Sequence, residues 1–148
     1  MHRSGRWLVL SVVLAGCAPG PLELRWVEAV TRQGGWIGVP FRYGDIESAD
    51  PRELPRIPTR VQWIQISYNQ LMDDEASREH LALETLEGVP IDYELRLIDQ
   101  GLALSPPGTL EPGTLLRLWI GAEVTSWWGH TQGREATAWM LVDPGSSR

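Results

Sequence analysis

The chain has 148 residues and a formal net charge of −6, and each of its 13 basic residues is an arginine. That length is one domain's worth of chain, enough to bury a core without disulfides. The 19 acidic side chains outnumber the basic ones, the reverse of what clustered phosphate contacts require, so nucleic acid is set aside as a partner.

The first element is the apolar run Trp7–Leu14, preceded by His2, Arg3 and Arg6 and followed by Ala15, Gly16 and Cys17. A positive start, a short apolar stretch and small residues at a cleavage point are the marks of an export signal, and the run is too short for a membrane-spanning helix. Leu14, Ala15, Gly16 and Cys17 resemble the lipobox of bacterial lipoproteins. The resemblance implies cleavage before Cys17 and fatty acyl groups, palmitate among them, on the new N-terminal cysteine. Cys17 is the sole cysteine, and acylation would remove an otherwise odd thiol. Loss of Arg3 and Arg6 with residues 1–16 would take the net charge to −8. The protein would then sit on a membrane by its lipid, its domain repelled by anionic headgroups. Ala18 stands where lipoproteins kept in the inner membrane often carry aspartate, which in a two-membrane cell implies the outer membrane.

From 17 to 45 the expectation is a lipidated tether and N-terminal segment. Leu22–Val30 reads as a strand, and the glycines and Pro40 of "RQGGWIGVP" read as turn punctuation. Prolines and charges from Tyr43 to Pro58 predict a loop or an edge. Val61–Tyr68 alternates, with Ile64, Ile66 and Tyr68 facing one way and Trp63, Gln65 and Ser67 the other. Asp73 is placed to cap one short helical turn. His80–Thr85 and Ile91–Leu97 read as strands, and Asp99-Gln100-Gly101 as a hairpin turn with the glycine in the left-handed position before a strand over Leu102–Ser105. "PPGTLEPG" is a compound turn. The long segment after it points Leu116, Leu118 and Ile120 inward, "TSWWGHTQG" is a loop, and "EATAWMLV" is the last strand. About seven short strands spaced by turns predict an all-β sandwich.

Two stretches resemble the bacterial Ig-like domain of the SbsA type, found in cell-surface proteins. In "IQISYNQLMDDEA" Tyr68 stands for the family's phenylalanine, and Met72 and Asp73 match; in "LALSPPGTLEPGTLLRLWIGAEVTSWWG" Leu110, Pro112, Gly113 and Thr114 occupy the family's leucine, proline, glycine and threonine. Ile57 and Pro58 fit its valine-proline entry. Leu71, Ser126 and His130 depart from the family's proline, aspartate and asparagine, which touches the turn bonds of that last loop. The resemblance implies an immunoglobulin-like sandwich over 46–143, with 144–148 as a tail. These motifs are turn formers and core residues, and they speak for fold alone.

No nucleophile elbow, paired metal-ligand motif or phosphate loop is present, and the expectation is a non-catalytic protein without metal or cofactor. Asp73, Asp74 and Glu75 read as a solvated helix cap ahead of a calcium site. The tryptophans carry the functional question. Trp63, Trp119 and Trp139 fall on strand faces opposite the core, and Trp127 and Trp128 share a loop with His130. One reading covers those outer faces, with Trp26 and Trp36 packing across one of them; the other exposes indoles for a sugar or a protein. The expected function is thus an envelope or surface lipoprotein, attached to the membrane through Cys17, with a structural or interaction module. The alternatives are a glycan- or peptidoglycan-binding module using Trp127, Trp128 and His130, and an accessory subunit docking on an envelope protein.

Overall fold

The computed structural model describes residues 20–145, so the expected leader, the lipobox Leu14–Gly16 and Cys17 lie outside the described residues. The protein is an all-β sandwich of two five-stranded sheets. Numbered along the chain, the first sheet has the order β2 (Trp36–Val39), β1 (Leu24–Thr31), β5 (Val61–Tyr68), β8 (Gly101–Ser105), β7 (Glu94–Ile98). The second has the order β3 (Phe41–Tyr43), β10 (Ala136–Val142), β9 (Leu115–Ile120), β6 (Leu81–Thr85), with β4 (Arg56–Ile57) also on β10. All pairings are antiparallel except that of β4 with β10.

The alternation of β5 sets the inner face of the first sheet. Register places Ala29 and Val27 of β1 on one side of Ile64 and Ile66, and Leu104 and Leu102 of β8 on the other. All six are buried. Across the sandwich, Leu116, Leu118 and Ile120 of β9 lie opposite Met140, Ala138 and Ala136 of β10, with Leu83 and Leu81 of β6 on their far side. A fully buried Leu or Ile contributes about 1.5–3 kcal/mol, so these two facing rows are the main stabilising element.

The sheets hold ten strands where seven were expected. The additions are β2, β3 and β4, each of four residues or fewer and each at a sheet edge, too short to show a hydrophobic period. "RQGGWIGVP" is a hairpin limb as well as a turn: Gly34 donates to Thr31 O at 3.0 Å, Thr31 N to Gly35 O at 2.8 Å, and Trp36 to Val39 return along β1. Pro40, which cannot extend a ladder, sits where the chain leaves the first sheet and enters the second at β3. The expected division at residue 46 has no counterpart in the strand pairing, because β1 to β3 belong to both sheets and β1 supplies Leu24, Val27 and Ala29 to the core.

Several turns follow their residues closely. Thr114 N donates to Glu111 O at 3.3 Å across Pro112 and Gly113, whose φ is +81°, as a type II turn requires, and Leu110 is buried beneath it. Asp73 accepts the Ala76 N–H at 3.0 Å and caps the single-turn helix α1 (Asp74–Ser77). The β7–β8 hairpin differs from expectation. Its positive φ is at Asp99, +35°, and Gly101 is extended within β8. Glycine is needed there for a different reason: a Cβ at 101 would lie 2.5 Å from the Ile66 carbonyl oxygen of the neighbouring strand.

The two outer faces differ. On the second sheet, the segment from Gly44 to Pro55 lies over the strands. Trp139 Nε1 donates to Ile46 O at 2.7 Å, Thr137 Oγ1 to Gly44 O at 2.7 Å, and Arg117 pairs with both Glu84 and Asp45. Trp119 Nε1 donates to Glu135 Oε2 at 2.8 Å. Trp119 and Trp139 are therefore half-buried, with their polar edges satisfied. On the first sheet Trp63 is half-buried and donates to Gln65, but Trp26 and Trp36 are 47% and 63% exposed. These two stand on that face, where their cross-strand neighbours Ser67 and Val30 are buried, and their other sides are open to solvent.

Candidate functional site

The loop between β9 and β10 begins where Gly121 ends β9. A Cβ there would meet the Trp119 ring at 2.8 Å and the His80 carbonyl oxygen at 2.9 Å, and Gly121 N donates to that same carbonyl at 2.7 Å. The loop then folds into a small hairpin of its own. Thr125 pairs with Thr131, and Ser126 pairs with Met72 from the segment after β5. Gly129 N donates to Ser126 O at 2.9 Å and Ser126 N to His130 O at 2.8 Å. This is a three-residue hairpin loop, with Trp127 and Trp128 at the two central turn positions and Gly129 at φ +83° completing a bulge.

The geometry accounts for the exposure of the indoles. Side chains at the central positions of a turn have no cross-strand neighbours, and Trp127 and Trp128 are 70% and 45% exposed. The backbone beneath them is held on two sides: Trp127 N donates to Leu71 O at 2.8 Å, and the buried Ser126 accepts the His130 N–H on its Oγ at 3.2 Å. That second bond does what an aspartate cap would do, so the departure at Ser126 leaves the turn intact. The result is a pair of indoles on a pinned backbone, a cheap arrangement for binding because little is left to order.

His130 turns away from the two indoles. Its Nδ1 lies 3.2 Å from Oε1 of the buried Gln70, whose Nε2 donates to Gly20 O at 2.6 Å. With the Gln70 amide so oriented, Oε1 is the acceptor, and His130 carries its proton on Nδ1 and a lone pair on Nε2 when neutral. The other limb of the loop is held by Tyr68, whose hydroxyl donates to Gln132 Oε1 at 2.7 Å. Burial raises the Tyr68 pKa well above its ordinary range, with a smaller contribution from Tyr43, so the phenol stays a donor. The structure thus groups Trp127 and Trp128 at the tip and places His130 at the base as a support.

A second group of exposed aromatic side chains lies on the first sheet, where the sequence gives little warning. Trp26 and Trp36 flank Glu28, whose cross-strand neighbours are Gly38 and Gln65. Glu28 Oε2 is buried without a hydrogen-bond partner, and burial raises the pKa of its carboxyl. Strand alternation places these residues on the outer face, but only the fold shows that the two indoles stay exposed. Among the described residues no group of three histidine, cysteine, aspartate or glutamate side chains converges as a metal site would. Asp73 is engaged in its cap, and Glu75 lies 3.7 Å from Arg78. No helix among the described residues is long and apolar enough to cross a membrane. The chain matches no protein-family model and no curated protein.

Proposed function

We propose that this chain is a membrane-anchored, non-catalytic envelope or surface lipoprotein whose sandwich serves as an interaction module, with Cys17 as the lipidated residue. The observation that carries the interaction part is the pinned loop that displays Trp127 and Trp128. Trp63, Trp119 and Trp139 have their ring N–H groups bonded within the protein, whereas the loop holds two exposed indoles on a backbone fixed by the Trp127 N–Leu71 O, Ser126 N–His130 O and Gly129 N–Ser126 O bonds. Aromatic side chains presented in this way are the usual anchors of binding surfaces, where a few residues carry most of the affinity. The sequence Leu14-Ala15-Gly16-Cys17 supports the membrane attachment.

One partner class that suits the pair is an envelope protein. The pair also supports a second reading, a glycan or peptidoglycan strand stacked on the rings, since indole faces suit the apolar faces of sugars. Replacing both tryptophans by alanine in the full chain distinguishes the two. Loss of in-cell crosslinks with unchanged polysaccharide retention supports the protein partner, and loss of retention on peptidoglycan supports the sugar. Unchanged behaviour in both assays, with an unchanged melting temperature, removes the loop from the function.

A further inference from the structure

The outer face of the first sheet carries an incomplete electrostatic arrangement. Glu28 Oε2 is shielded from water yet accepts no hydrogen bond. The side chain beside it, Gln65, is already engaged along β5, accepting from Trp63 Nε1 at 3.2 Å and donating to Ser67 Oγ at 3.0 Å. The position across the other strand is Gly38, which offers no side chain, and a Cβ built there meets nothing within 4 Å. An open floor therefore adjoins a carboxylate that lacks a donor. Such a group costs free energy until a donor reaches it, and a charged donor satisfies it best.

The complementary group is three residues away. Arg25 lies at the irregularity of β1 between Leu24 and Trp26, is exposed, and lines the same groove as Glu28, Gly38 and Trp26. It forms no ion pair among the described residues. Among the described residues the face thus presents the Arg25 guanidinium without an ion pair, a carboxylate whose buried Oε2 lacks a donor, and the exposed indoles of Trp26 and Trp36, on one strand and its neighbour. A two-fold axis lying in this face and crossing β1 between residues 26 and 27 would carry Arg25 of one copy over Glu28 of the other, and the reverse. The two Trp26 rings would meet at the centre of the contact. A patch that complements itself in this way is what an isologous dimer requires.

We infer that the outer face of the first sheet is a self-association surface, on which two copies of this chain pair through reciprocal Arg25–Glu28 contacts around a central pair of Trp26 side chains. A guanidinium suits the site better than a quaternary ammonium, which has no N–H to give Glu28, and its plane can lie against an indole. The surface lies apart from the Trp127 and Trp128 loop, so it can fail while the proposed function stands.

The test is sedimentation of the full chain in mild detergent over a concentration series, comparing wild type with Arg25→Glu, Glu28→Arg, the double exchange of the two charges, and Trp26→Ala. The expected result is a concentration-dependent dimer, weakened about tenfold or more by each single charge reversal and by Trp26→Ala, and restored to within about threefold by the double exchange. Restoration by the double exchange is a result that a general loss of folding cannot produce. Chance occupancy of one micelle by two chains would be alike in all five proteins. The inference is overturned by a chain that stays monomeric throughout, by association equal in all the variants, or by a monomer that binds an arginine peptide or an oligosaccharide on this face.

Discussion

Gly101→Ala is the substitution whose cost follows most directly from the geometry. Residue 101 pairs with Ser67 on one side and Ile98 on the other, at the hairpin end of β8, a strand flanked on both sides. The new methyl group would lie 2.5 Å from Ile66 O and 3.4 Å from both Ile66 C and Ser67 Cα, all backbone atoms of β5. Relief of the closest contact needs about half an ångström of separation between β5 and β8, at the point where the ladder bonds hold them together. Forcing extra carbon into a packed site costs about 1–3 kcal/mol, and loss of the glycine's unfolded-state freedom returns about 0.5–1 kcal/mol. The net expectation is a destabilisation of about 1–2 kcal/mol, or roughly 4–8 °C in melting temperature for a domain of this size. Gly38→Ala is the control, since Gly38 is also in a strand but has open space; it should be neutral or slightly stabilising. Thermal denaturation followed by circular dichroism measures both. Equal effects from the two substitutions would refute the reasoning, because strand propensity alone would then explain them.

Gly129→Ala should cost about 1 kcal/mol, because φ is +83° and nothing lies within 4 Å of the new Cβ, so the penalty is purely conformational; acrylamide should then quench Trp127 and Trp128 to an altered extent. Arg117→Met removes the side chain that pairs with Glu84 at 2.6 Å and also with Asp45. Protease cleavage between Gly44 and Pro55 should quicken, and stability should fall by about 1–2 kcal/mol, discounted from a buried pair because Asp45 is largely exposed. Glu28→Gln should raise stability by up to about 1 kcal/mol at neutral pH, the low end of the cost of an unpaired polar atom, since much of the carboxylate still meets water. The sign follows from a carboxyl pKa that is raised in the folded state. The folded chain holds this proton more tightly than the unfolded one, so wild-type stability loses this contribution as pH rises from 4.5 through the raised value. The difference between Glu28→Gln and wild type should shrink below that pH in paired denaturation curves, and a constant difference would refute it.

What the sequence made legible was what local physics determines. β5 announces itself through strict alternation, the Glu111–Thr114 turn through Pro112 and Gly113, and α1 through the Asp73 cap. β2, β3 and β4 escaped because strands of two to four residues carry no period and are fixed by the strands they join. Gly101 reads as a turn residue in the sequence because a left-handed φ and a close backbone approach call for the same amino acid. The tryptophans divide in the same manner. Trp127 and Trp128 stand out because a turn tip has nothing to cover it, and alternation marks Trp63, Trp119 and Trp139 as facing outward. Whether an outward face is then covered depends on a distant segment: Gly44–Pro55 covers the second sheet, and on the first Trp26 and Trp36 stay exposed. Trp26, Trp36 and Glu28 are therefore visible as a group only in the fold.

The functional reading depends most on where the chain is held. Intact-mass analysis of the protein recovered from the membrane fraction of cells expressing the full chain tests this directly. The expected chain begins at Cys17, is heavier than its amino-acid sequence by the mass of attached acyl groups, and is absent from the membrane when Cys17→Ser is introduced. A membrane-recovered chain that retains residues 1–16, or that carries an unmodified Cys17, would contradict it.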